Sequence, residues 1–326
     1  MHIAILDDYQ NAVPSLECFR LLNGHQVSVF TDTVTDTDAL AARLADVEVL
    51  VLIRERTVIS PELLRQLPKL KLISQTGKVS NHLKLEDCTA AGVAVAEGIG
   101  SPVAPAELCW ALIMAARRHL PAYAANLQRG HWQSSGALGL GRVLKGQTLG
   151  IWGYGKIGQM VAGYGKAFGM QVQVWGREPS LAAAVAEGYL AASSREAFFE
   201  QADVLSLHLR LNDATRGIVT QADLQRMKTD ALLVNVSRAE LIEAGALEAA
   251  VAAGRPGYAA VDVYESEPIL GTDHPLLKLP QVLCTPHIGY VEHSSYELYL
   301  RTAFDNVIAY AEGRPQNIAN PAVLAN

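Results

Sequence analysis

Over the first hundred residues, short apolar runs alternate with amphipathic stretches, the pattern of β-α-β units feeding a parallel sheet. The runs predict strands at 2–6, 26–30, 48–53, 71–74 and 93–96. A helix is predicted from Ser60-Pro61, where a serine can accept a first-turn amide and a proline presets φ, to just before Pro68. Near Gly98-Ile99-Gly100-Ser101-Pro102 the pattern breaks. A long apolar helix follows through Trp110 and Ile113 to Arg118, and a domain crossing is placed at that break. A glycine-rich stretch, 130–146, leads into a second alternating series with strands at 148–152, 171–175, 204–208, 231–236, 258–263 and 282–285. A last helix, 293–312, and the tail follow this second sheet and are expected to return to the first domain.

The fold expected is therefore α/β, with two doubly wound parallel-sheet domains. Residues 1–100 with 290–326 form a flavodoxin-like substrate domain, and residues 101–289 form a Rossmann dinucleotide-binding domain.

Composition narrows the function. Half of the 326 residues are hydrophobic, yet no apolar run approaches a membrane span, so no membrane partner is expected. Met1 leads directly into His2-Ile3-Ala4-Ile5-Leu6 and Asp7-Asp8, without a basic segment and apolar signal stretch, which reads as a cytoplasmic protein. A net charge of -6 with interspersed signs leaves no basic face for nucleic acid. Cys18, Cys88, Cys109 and Cys284 are scattered and are read as reduced, small core residues. No metal site is expected, because His287, Glu292 and His293 do not form H-E-x-x-H on a helix. No serine nucleophile elbow or Walker lysine is present either.

The clearest chemical signal is Gly153-Tyr154-Gly155-Lys156-Ile157-Gly158, a G-x-G-x-x-G at the junction of a strand and a helix. Gly153 permits the tight turn, Gly155 lets backbone approach a pyrophosphate, and Gly158 lets helix pack on strand, while first-turn amides favour the anion. The acid that usually binds the adenosine ribose, about 20 residues on, is missing: the next strand ends in Gly176-Arg177-Glu178. A guanidinium suits a 2′-phosphate, so Arg177 favours NADP, with NAD the alternative, since Glu178 could reach a ribose hydroxyl. His208, at a strand end, is placed beside the cofactor or as a buried, satisfied histidine.

Arg238, Glu267 and His287 lie at or beyond strand ends of the second series, where open α/β sheets place their ligand crevice. Together with the glycine turn, Asn235-Val236-Ser237-Arg238, Val261-Asp262-Val263-Tyr264, Glu267-Pro268 and Thr285-Pro286-His287-Ile288-Gly289, the chain resembles the D-isomer-specific 2-hydroxyacid dehydrogenases over nearly its whole length. The resemblance implies hydride transfer between NAD(P)H and a small 2-oxo or D-2-hydroxy acid. In it, Arg238 binds the substrate carboxylate, His287 gives or takes the proton and Glu267 hydrogen-bonds the imidazole. A neighbouring carboxylate favours the protonated ring, and a planar guanidinium grips a carboxylate with two parallel bonds. Asp262 is implied to bond the nicotinamide amide, with a turn-forming role the alternative, and Val236, Ser237 and Gly289 are implied to line the cofactor.

The resemblance further implies that Gly77, Lys78 and Val79 meet the substrate carboxylate through a turn whose amides face it. A surface lysine in a turn is the alternative reading of Lys78. Tyr290, at a normally small position, shapes the pocket or packs at a hinge; hinges are expected at Gly98–Ser101 and Gly289–Tyr290. Ala239 and Arg210 also depart from the family pattern, where glycine and proline are common. A homodimer is implied, with the helix around Trp110 and Ile113 as a contact element or as core, and Trp132 as a residue reaching a partner's site or a packing anchor. The rival class is a dinucleotide-sensing regulator. Formate or phosphite oxidation is a third reading, and Glu267 disfavours formate, since the resembling formate dehydrogenases carry glutamine there. Since the sequence stops at Asn326, the extra regulatory domain of longer phosphoglycerate dehydrogenases is not expected, which disfavours a serine-pathway role without excluding it.

Overall fold

The computed structural model describes residues 1–325 and divides into two compact units, Met1–Ser101 with Val291–Asn326, and Pro102–Tyr290. The first holds a parallel five-stranded sheet of β1 (His2–Leu6), β2 (Gln26–Val29), β3 (Val49–Leu52), β4 (Leu72–Gln75) and β5 (Ala94–Ala96), in the order β2-β1-β3-β4-β5. That is the flavodoxin-like order. The central strands are apolar on both faces because both are covered: Ile3, Ile5, Leu50 and Leu72 are fully buried. The helix Pro61–Gln66 begins as its sequence predicts, with the Ser60 hydroxyl accepting the Leu63 amide at 3.1 Å.

The terminal helix, His293–Ala311, belongs to this unit because its apolar stripe, including Leu300, Phe304 and Val307, is buried here. Ser74 Oγ on β4 donates to the Ala303 carbonyl at 2.8 Å. The tail then runs antiparallel along β5, with Ile318 bridging Ala96 and the Ala319 amide donating to the Val95 carbonyl at 2.8 Å. Asn320 completes the seam by accepting the Val95 amide at 2.8 Å.

The second unit holds seven parallel strands: β6 (Thr148–Trp152), β7 (Gln171–Trp175), β8 (Leu190–Ala191), β9 (Val204–Leu207), β10 (Leu232–Asn235), β11 (Tyr258–Val261) and β12 (Val282–Cys284). Their order is β12-β11-β10-β9-β6-β7-β8, so it reverses between β6 and β9 and opens a crevice at the carboxyl ends of those strands. The sequence pattern misses β8, whose two exposed residues are too few to carry a period. One face of the sheet packs Phe198, Phe199 and Leu205, the other Cys109, Ile113 and Val161.

Ile113 is fully buried, and Trp110 packs half-buried on Tyr164 and Phe168 with ring centroids 6.0 and 5.0 Å away, so of the two readings of this stretch of the helix Val103–Arg117, Ile113 takes that of core. Exposed apolar side chains include Val103 at the start of this helix and, further on, Leu120, Leu127, Trp132, Leu140 and Val143. Cys18, Cys88 and Cys109 are buried as expected, but Cys284 is only half-buried because β12 is an edge strand. Among the described residues, no helix is long and apolar enough to cross a membrane, and none of the His, Cys, Asp and Glu side chains cluster to hold a metal ion.

Candidate active site

The glycine turn joins β6 to the helix Lys156–Ala167 at the point where the strand order reverses. Gly153 has φ 101°, and a Cβ there would lie 2.6 Å from the His208 carbonyl oxygen. A Cβ on Gly158 would overlap the Gly153 carbonyl oxygen, so only glycine lets this helix sit so close to the strand. Gly155 is the N-cap, supplies no side-chain cap and faces open space. Its surroundings form a backbone cradle with first-turn amides pointing outward, which suits a pyrophosphate.

The side chains between these glycines divide. Lys156 is exposed and Ile157 packs toward the core. Tyr154 differs from its expected cofactor role. Its ring is buried against Tyr189, and its hydroxyl donates to Glu187 at 2.6 Å, so only its backbone belongs to the turn. Arg177 is exposed just beyond β7 and sits at the start of the helix Glu178–Ala186.

His208 follows β9. Its Nε2 bonds Ser206 Oγ at 2.9 Å, and Ser206 Oγ lies 3.2 Å from Cys109 Sγ. Its Nδ1 is buried with no partner among the described residues. Burial lowers the imidazole to about 4, so the ring is neutral near pH 7. An orphaned ring nitrogen beside an open glycine cradle fits a bound dinucleotide, whose polar groups could satisfy it.

After β10, Asn235 shapes the next loop. Its Oδ1 accepts the Ser237 amide at 3.0 Å and its Nδ2 donates to the Arg238 carbonyl at 2.8 Å. Ser237 Oγ donates across to the Leu207 carbonyl at 2.8 Å, and Val236 packs half-buried on the core. Arg238 thus emerges from a loop pinned on both sides. Its guanidinium Nη1 donates to the Ser237 carbonyl at 2.7 Å.

His287 has left-handed backbone, φ 51°, an uncommon state for a non-glycine residue and one the surroundings must hold. Asp262 does this. Only 1% exposed, it accepts Thr285 Oγ1 at 2.7 Å, the Ile288 amide at 2.8 Å and the Gly289 amide at 2.9 Å. Burial pushes its carboxyl above the usual range, against the opposing pull of these donors and His287. Asp262 therefore anchors the histidine loop, while Oδ2, which accepts the Gly289 amide alone, keeps acceptor capacity for a further donor.

His287 Nδ1 lies 2.5 Å from Glu267 Oε2, and Glu267 Oε1 accepts the Tyr264 amide at 2.9 Å. The Tyr264 hydroxyl returns to the Thr285 carbonyl at 3.0 Å. A carboxylate only accepts, so Nδ1 carries the proton of this contact. Tyr290 is nearly buried, its ring centroid 6.1 Å from that of His287 and tilted by 71°.

In the first unit, the turn after β4 is held from two sides. Thr76 Oγ1 accepts the Arg54 amide at 2.9 Å, and the Gly98 amide donates to the Gly77 carbonyl at 2.8 Å. A Cβ on Gly77 would overlap the Arg54 guanidinium. The Val79 amide, expected to meet substrate, donates instead to Glu97 Oε1 at 2.9 Å, and Lys78 Nζ pairs with Glu97 Oε2 at 2.7 Å.

Asn235, Tyr264, Thr285, Arg54 and Glu97 had no role in the sequence reading. Tyr264, Thr285 and Glu97 bond partners 21, 23 and 18 positions away, so although Tyr264 and Thr285 stand in the matched stretches, their spacing does not announce what they support. Asn235, directly before Val236 and Ser237, carries the plainest sequence signal of the five.

A family model described as "D-isomer specific 2-hydroxyacid dehydrogenase, NAD binding domain" matches residues 110–289. The chain is 33% identical to a glyoxylate reductase of Thermococcus litoralis, over 91% of this chain and 88% of that protein. Among solved structures it resembles an oxidoreductase from Ralstonia solanacearum described as a D-3-phosphoglycerate dehydrogenase candidate, with TM-score 0.97 and 59% identity over 100% of this chain and 98% of that one. It also resembles a phosphoglycerate oxidoreductase from Vibrio cholerae, with TM-score 0.94 and 61% identity over 96% and 99% of the two chains.

Proposed function

The chain belongs to the D-isomer-specific 2-hydroxyacid dehydrogenase family, and we propose that His287, Glu267 and Arg238 carry its chemistry on a small 2-oxo acid. It is an oxidoreductase with an NAD-binding domain, acting between a nicotinamide cofactor and 2-oxo or 2-hydroxy acids. A nicotinamide cofactor, when bound, would supply or take up the hydride.

The observation that carries the residue assignment is the 2.5 Å contact between His287 Nδ1 and Glu267 Oε2. With Nδ1–H held by the carboxylate, Nε2 gives a proton to the carbonyl oxygen during reduction and takes one from the hydroxyl during oxidation. Glu267 offsets the positive charge of the doubly protonated ring, and Asp262 keeps that ring in place through the loop amides. Arg238 holds the substrate carboxylate with its planar fork, which fixes the carbon that exchanges hydride. Tyr290 bounds the substrate beside His287, and the amides of Gly77 and Lys78 serve the carboxylate from the turn after β4.

The backbone at Gly153, Gly155, Lys156 and Gly158 would hold the pyrophosphate, and His208 Nδ1, Val236, Ser237 and Gly289 would line the rest of the dinucleotide. NADPH is the proposed preference. Arg177 is exposed beyond β7, and Gly176 stands where a ribose-binding acid would repel a 2′-phosphate. Arg177→Ala should weaken NADPH binding about tenfold or more while sparing NADH, the loss of one charge-assisted contact; equal losses in fluorescence titrations would remove that contact. A homodimer and a cytoplasmic setting complete the reading, the latter supported by four unpaired cysteines.

Similar proteins carry glyoxylate and phosphoglycerate names, so the direct test follows NADPH and NADH oxidation with glyoxylate, hydroxypyruvate, pyruvate and bulkier 2-oxo acids. Turnover with any member supports the reading and ranks the pocket. Cofactor binding without turnover across the panel would favour a dinucleotide sensor.

A further inference from the structure

The turn proposed above to serve the substrate carboxylate already holds a carboxylate of its own. Glu97, the first residue after β5, reaches that turn with both oxygens: Oε1 accepts the Val79 amide at 2.9 Å and Oε2 pairs with Lys78 Nζ at 2.7 Å. The neighbouring Gly98 reinforces the grip. Its amide donates to the Gly77 carbonyl at 2.8 Å, and a Cβ there would come within 2.7 Å of the Thr76 carbonyl carbon, so the two strand ends touch backbone to backbone.

Glu97 is itself anchored from behind. Its amide donates to the Asn317 carbonyl at 2.9 Å, and its carbonyl accepts Asn306 Nδ2 at 3.1 Å. Asn317 Nδ2 in turn donates to Asn306 Oδ1 at 2.8 Å. Terminal helix and tail therefore fix the position of a charge that faces the turn. Burial acts to raise the Glu97 carboxyl, but Lys78 and the Val79 amide outweigh it and hold it below the usual range, so the group is ionised at neutral pH.

A lysine beside an anion-binding turn would ordinarily reward extra negative charge on a ligand. Here that lysine is neutralised in place. Its side chain is 70% exposed while that of Glu97 is 23% exposed, so the carboxylate is the better-held member of the pair. We propose that Glu97 is a specificity-determining residue that cancels Lys78 and tunes the substrate turn to 2-oxo acids carrying a single negative charge, disfavouring those with a second anionic group. The inference rests on the proposed 2-oxo acid reading and on the turn's part in it.

The test compares two nearly isosteric substrates, 4-methyl-2-oxopentanoate with one charge and oxaloacetate with two. Glu97→Gln keeps an oxygen that can accept the Val79 amide and removes the charge. It should raise the oxaloacetate to 4-methyl-2-oxopentanoate ratio of kcat/KM about fivefold to tenfold, the effect of one charge seen across several ångströms of partly wet protein. Lys78→Gln should move the ratio the opposite way, and the double variant should return it toward the wild-type value. The shift should shrink in high salt, which a merely structural effect would not do. Equal changes for both substrates, or a ratio indifferent to salt, would overturn the role of Glu97 while leaving the dehydrogenase reading intact. A wild-type protein that reduces no 2-oxo acid would overturn both.

Discussion

At the scale of single residues, the site is made of side chains held by partners distant in sequence. His287 is the best example: its left-handed backbone persists because Asp262 collects one hydroxyl and two amides from the loop that carries it. His208 shows the opposite economy, a ring kept neutral by burial with one nitrogen left over. This has a consequence for stability. In the unfolded chain His208 takes up a proton near pH 6.5, whereas in the folded chain it does so only near about 4. Between those values the unfolded state binds more protons, so His208 contributes a loss of stability as pH falls from about 6.5 toward about 4. Denaturant melts across that window should show a smaller acid loss for His208→Gln than for the wild type; parallel losses would mean that the ring is already solvated.

At the scale of elements, the two strand-to-loop junctions around β6 and β9 place the cofactor signal. The glycine turn was legible because its chemistry is local: strand, three glycines and helix follow one another, and the spacing alone states which atoms must come close. Most strand positions were legible for the same reason, since buried parallel strands read as apolar runs. What the sequence hid were the long-range bonds that turn loops into supports, such as Asp262 to Ile288 or Glu97 to Val79. A motif names a residue but not which partners its polar groups already hold, which is why the Val79 amide was given to the substrate although Glu97 takes it in the structure. The glycine account can be checked by Gly158→Ala. With its methyl driven onto the Gly153 carbonyl, this variant should lose about 1–3 kcal/mol of stability and most of its affinity for either cofactor. Unchanged cofactor titrations would show that the close approach of helix and strand is not required for binding.

At the scale of the whole molecule, the chain builds its first unit from both of its ends, and the returning tail seals the edge strand β5 while supplying the anchor for Glu97. Ile113 is core, whereas Leu120, Leu127, Trp132, Leu140 and Val143 in the second unit expose apolar surface. Such surface is what a stable dimer would cover. If it does, a Trp132→Lys, Leu140→Lys double variant should run as a monomer in light scattering while the wild type runs as a dimer. A wild-type monomer would remove the dimer from the account.

The central claim is that His287, paired with Glu267, exchanges the substrate proton. It is tested most directly by rapid mixing of wild type and His287→Ala, each preloaded with reduced cofactor, with the best 2-oxo acid of the panel, while cofactor affinity is measured on the same samples. The account predicts unchanged cofactor binding and a fall of about 10² to 10⁴ in the rate of cofactor oxidation; a variant that oxidises cofactor as fast as the wild type would mean that another group moves the proton.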